Sequence, residues 1–149
     1  MAAGEPEQEP HQPRSPGDHE GAYSLLQRGH ELMRMRHHAQ AAIVLARAAR
    51  IEPGKGSILE ALGRAYYNSG QHDRSRATFE QLLEVDPSAH YAHYALGQSF
   101  KQLGQPREAR THLRLAVALA PASPLYRGAL ERLGPPPAEP SEGVAADSA

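Results

Sequence analysis

Nine histidines and a scatter of carboxylates are the side chains here that could carry acid–base or metal chemistry. Two histidine pairs invite a metal reading, His37/His38 and His90/His93. Adjacent histidines on a turn diverge, and an i, i+3 pair needs further ligands that no HExxH-type sequence supplies. His112 reads as part of a helix surface. Glu60 and Arg64 are one helical turn apart and suit an ion pair worth about a few tenths of a kcal/mol. The sequence has no glycine-rich phosphate loop, no nucleophile elbow and no cysteine to serve as nucleophile or thiolate ligand. Catalysis, a bound metal and a cofactor are therefore not expected. What remains is recognition chemistry, in six tyrosines and in cations that are all arginine except Lys55 and Lys101.

The elements that must position these groups repeat. Gly29, Gly63 and Gly97 are 34 residues apart, as are Pro53, Pro87 and Pro121. A period of that length marks stacked supersecondary units. The units run 22–55, 56–89 and 90–123. Leu59, Leu62 and Tyr66 put apolar groups on one face of a first helix. A second helix follows Ala41, Leu45, Ala48 and Ile51, then Ser75, Phe79, Leu82 and Val85, then Ala109, Leu113, Ala116 and Leu119. The recurring mid-helix glycine costs about 1 kcal/mol against alanine, so its return implies a close helix approach. Gly70 and Gly104 suit the turns between paired helices. Arg36 stands at that place in the first unit, which predicts a looser or differently shaped turn over Met35–His38. Each proline ends its unit because it cannot continue the hydrogen-bond ladder. Ser123 and Pro124 open a capping helix over 123–133, with a stripe of Leu125, Ala129, Leu130 and Leu133 closed by Gly134.

Both ends differ from this body. Residues 1–18 and 134–149 are rich in Pro, Gly, Ser and acid and are expected to be disordered tails around a domain at 19–133. Residues 1–20 and 134–149 hold eight of the 17 acids and one of the 16 bases, leaving nine acids and 15 bases, or +6, in the body. An acidic or polyanionic partner is electrostatically plausible. The absence of a signal-like N-terminus and of a long apolar run predicts a cytoplasmic protein without a membrane span.

LGRAY at Leu62–Tyr66 and LGQSF at Leu96–Phe100, each followed by the small, large and proline positions, resemble the tetratricopeptide repeat family. The resemblance implies an all-α right-handed solenoid of three helix-turn-helix units plus a capping helix, acting as a protein-binding adaptor or scaffold. First helices would line a concave groove for a peptide or helix of a partner. Its candidate residues here are Tyr23, Leu26, His30, Arg64, Tyr67, Asn68, Tyr91, Tyr94, Gln98 and Lys101, together with Met33, Arg34, Ser57, Glu60 and Gln102. Four of the six tyrosines fall on that surface. Relatives that grip chaperone C-termini use a Lys, Asn and Arg clamp; the corresponding positions here are Leu26, His30, Ala61, Tyr91 and Ala95, which cannot grip a carboxylate pair. The alternative partner is a polyanion such as RNA, bound by Arg74, Arg76, Arg107, Arg110 and Arg114 on outward second helices. That reading is weakened by the lack of interleaved aromatics. Weak self-association through an exposed end is a third expectation.

Overall fold

The computed structural model describes residues 21–138; the proposed tail 1–18 and most of 134–149 lie outside them. Seven helices form among the described residues: α1 (Ala22–Arg34), α2 (His38–Ile51), α3 (Gly56–Asn68), α4 (His72–Val85), α5 (His90–Gln102), α6 (Pro106–Leu119) and α7 (Pro124–Leu133). Each helix packs on its sequence neighbour, and α1 also touches α3 while α3 touches α5. The first helices thus form one continuous wall backed by the second helices. None of the helices among the described residues is long and apolar enough to cross a membrane.

The glycine column is where paired helices meet. A Cβ placed on Gly63 would stand 2.6 Å from Phe79 Cε2, and one on Gly97 would stand 2.6 Å from Leu113 Cγ. At Gly29 it would overlap Leu45. The large residue of each second helix therefore fills the space that the missing side chain leaves. Phe79, Leu45 and Leu113 are each at most 1% exposed. The core consists of two adjoining clusters, one centred on Leu25, Leu45 and Ile58 and one on Leu59, Phe79 and Leu96.

Three expectations need correction. The turn at Arg36 is not looser: Arg36 takes φ 62°, beside 80° at Gly70 and 73° at Gly104. His37 N donates to Leu32 O at 2.8 Å, matching Gln71 N to Tyr66 O at 2.8 Å and Gln105 N to Phe100 O at 2.9 Å. All three are the same six-to-one helix ending, and the arginine bears the left-handed strain that glycine avoids. Next, Ile51, Val85 and Leu119 leave the buried stripe, with exposures of 52%, 51% and 44%. At about 100° per residue, the tenth step from the stripe's head rotates some 80° off its centre. Finally, the buried residues of α7 are Tyr126 and Ala129, while Leu125 faces outward. The Ser123 hydroxyl accepts from Tyr126 N at 3.4 Å, capping this helix.

Candidate functional site

Two adjoining hollows lie along the wall of first helices. One, of about 190 Å3, is lined by Arg64, Tyr67, Asn68, Phe79, Tyr91, Tyr94, Ala95 and Gln98. The other, of about 280 Å3, is lined by His30, Met33, Arg34, His38, Ala61, Arg64 and Asn68. Arg64 and Asn68 belong to both, so α3 supplies the ridge that joins them. This follows from helix geometry, since residues four apart share one face.

Seven of the ten candidate residues meet in these hollows: His30, Arg64, Tyr67, Asn68, Tyr91, Tyr94 and Gln98. The other three do not. Leu26 is 8% exposed and belongs to the first core cluster. Tyr23 stands out in solvent at 71% exposure on α1. Lys101 is exposed near the end of α5 and lines neither hollow.

Aromatic contacts set the shape of the tyrosine-lined hollow. The Arg64 guanidinium lies 5.6 Å from the Tyr91 ring centroid, within cation–π range. Tyr91 sits edge-on to Phe79 at 6.1 Å and tilts against Tyr94 at 5.9 Å. Tyr94 stacks on Tyr126 at 5.2 Å, and its hydroxyl accepts from Gln98 Nε2 at 3.1 Å. Tyr126 Oη and His90 Nδ1 are hydrogen-bonded at 2.7 Å. Tyr67 is backed edge-on by His72 at 5.0 Å. Burial pushes the Tyr91 and Tyr126 hydroxyls up from their ordinary pKa, Arg64 opposing this at Tyr91. Both phenols therefore stay protonated near neutral pH and remain hydrogen-bond donors.

Sequence reasoning missed Tyr126. Its column held the signal: the third positions of the second and third units are Ile58 and Ala92, both nearly fully buried. Placing the α7 stripe on Leu125 concealed it.

The histidines make no metal cluster of three or more ligand groups among the described residues. His93 and His112 do meet, with Nδ1 atoms 3.2 Å apart and rings stacked at 5.4 Å. His93 Nε2 donates to Pro87 O at 3.2 Å, so the network assigns His93 Nδ1 as acceptor and His112 Nδ1–H as donor. Burial, then the neighbouring His93, lowers the His112 pKa below 6.5, while Glu80, itself paired with Arg76, works against this. The unfolded chain then takes up the proton first as pH falls. Stability held above about pH 6.5 is expected to be lost below it, down to the lower folded pKa. His112→Gln keeps a donor but cannot titrate. Thermal midpoints at pH 7.5 and 5.5 should drop less in this variant than in the unaltered chain; equal drops would remove His112 as the cause.

The outer arginines are partly committed to the protein itself. Arg76 pairs with Glu80 at 3.0 Å, and Arg74 lies 5.9 Å from the Tyr66 ring centroid. Arg110 is 7% exposed, so it is not a member of a fully solvated stripe. Its place beside α7 is the reason.

Comparison with known proteins agrees with the architecture. Residues 60–124 match the family described as tetratricopeptide repeat. Solved structures extend the likeness across the helical body. The tetratricopeptide domain of Sgt2 from Aspergillus fumigatus is 21% identical, with 90% of this chain and 94% of that chain covered at a TM-score of 0.70. The first such domain of Spaghetti (RPAP3), bound to the HSP90 peptide SRMEEVD, is 14% identical, with 75% and 89% covered at a TM-score of 0.72. The Yersinia enterocolitica secretion chaperone SycD, in complex with a peptide of the translocator YopD, is 17% identical, with 74% and 90% covered at a TM-score of 0.69. No curated protein matches the sequence. The match over residues 60–124 is to the tetratricopeptide repeat, and the described residues fold as the all-α helical repeat solenoid of those structures.

Proposed function

We propose that the chain is a protein-interaction adaptor that holds a peptide or helix of a partner along the wall formed by α1, α3 and α5. The observation carrying this reading is the pair of hollows joined at Arg64 and Asn68, with three tyrosines around one of them. None of the lining side chains is acidic. A partner segment with an aromatic or aliphatic side chain for the tyrosine hollow, and a carboxylate for Arg64 or Arg34, fits that chemistry. The peptide complexes of Spaghetti and SycD support a peptide mode on this fold. The clamp columns carry Leu26, His30, Ala61, Tyr91 and Ala95, so the partner is not one recognised through paired carboxylates at those positions.

Affinity capture from native lysate tests the reading, comparing the unaltered chain with Arg64→Gln/Tyr67→Ala. Arg64 is exposed and Tyr67 half-buried, so circular dichroism and the melting midpoint should hardly change. Losing one aromatic and one arginine anchor typically costs about 2 kcal/mol or more, at least tenfold in affinity. A partner retained by the unaltered chain and lost by the folded variant is the expected result. Capture that survives the substitutions but vanishes with nuclease or moderate salt would move binding to the outer arginines.

A further inference from the structure

The outer side of α6 holds a cation cluster that the groove does not use. Arg107, Arg110 and Arg114 stand at i, i+3 and i+7, so they share one helix face. With Thr111, Pro136 and Pro137 they line a hollow of about 200 Å3. Arg110 is 7% exposed, and its Nη2 donates to Gly134 O at 2.9 Å. That bond orients the guanidinium. Its other N–H groups find no acceptor among the described residues. No carboxylate of the described residues lies within ion-pair distance of any of the three arginines.

Like charges a turn apart on a helix repel, and an anion placed among the three guanidinium groups would relieve that repulsion. We propose that the hollow binds the phosphoryl group of a phosphorylated serine or threonine on a protein partner. A phosphomonoester carries about −1.5 to −2 charge at pH 7 and three acceptor oxygens, which three guanidinium forks satisfy together. A carboxylate offers one charge and two oxygens. Nucleic acid fits less well, because no aromatic side chain lines the hollow to stack a base. Pro136 and Pro137 complete the lining of the hollow beside the arginines. The assignment is independent of the concave groove.

Titration of the full chain with N-acetyl-phosphoserine amide, followed by NMR of the Thr111 and Gly134 amides and the arginine Nε–H signals, tests it. Saturable shifts are expected with this probe and none with N-acetyl-serine amide. Arg107→Gln/Arg114→Gln should weaken binding by about tenfold or more, the loss expected for charge-assisted hydrogen bonds. Both side chains are exposed and unpaired among the described residues, so the melting midpoint should stay unchanged. Equal affinity in the folded double variant overturns the proposal. So does a single-stranded RNA oligomer that shifts the same signals at lower concentration.

Discussion

Phe79→Ala is expected to lower unfolding free energy by about 3–5 kcal/mol, the range for truncating a buried phenylalanine. The ring is 1% exposed, touches the Gly63 backbone and forms part of the floor under Tyr91 and Tyr94. Its size is matched to a particular absence. Gly63→Ala alone should cost about 1–3 kcal/mol, because the new Cβ would press on a fully enclosed ring. Helix propensity acts the other way and would return only about 1 kcal/mol. In the Phe79→Ala background the same Cβ enters vacated space, so Gly63→Ala should become neutral or stabilising. Chemical denaturation of the four proteins measures this coupling. Additive effects within about 0.5 kcal/mol would mean that the glycine column is not maintained by the second-helix ring.

Tyr126→Ala should cost about 3 kcal/mol or more and also weaken partner binding. Tyr126 is 5% exposed, bonds to His90 and stacks on Tyr94, a wall of the groove. Tyr126→Phe separates the two roles. It removes the hydroxyl bond, worth about 1 kcal/mol, yet keeps the ring against Tyr94. Melting curves should therefore rank Ala well below Phe. Affinity for the captured partner, measured where both variants remain folded, should fall for Ala and stay within about twofold for Phe. Unchanged affinity in folded Tyr126→Ala would reduce the capping helix to a structural element alone.

Much of the groove was legible because helix periodicity converts residue number into direction. Arg64, Tyr67 and Asn68 share one face of α3, and Tyr91, Tyr94 and Gln98 share one face of α5. Their convergence follows from stacking two identical units. Leu26 and Tyr23 show where the column argument weakens. The first unit has no preceding repeat among the described residues, which leaves Tyr23 solvent-exposed, while Leu26 belongs to the first core cluster with residues of α2 and α3. Tyr126 escaped for the opposite reason, since a terminal helix buries only the side facing its predecessor and an apolar stripe there can be drawn on either flank.

The sequence by itself determined the repeat and the helix pairing. These follow from period, proline and glycine placement and residue type, all of which act locally. Tertiary packing decided the rest. It gave Arg36 the same left-handed turn as the glycines, because the paired helices on either side pack alike in all three units. It put His112 against His93, 19 residues away, and Tyr126 against Tyr94, 32 residues away. It buried Arg110 beside Gly134 and left two neighbouring arginines with no carboxylate of the described residues in ion-pair distance. Such meetings depend on how far one helix is rotated against the next, and a few tens of degrees move a side chain from solvent to contact.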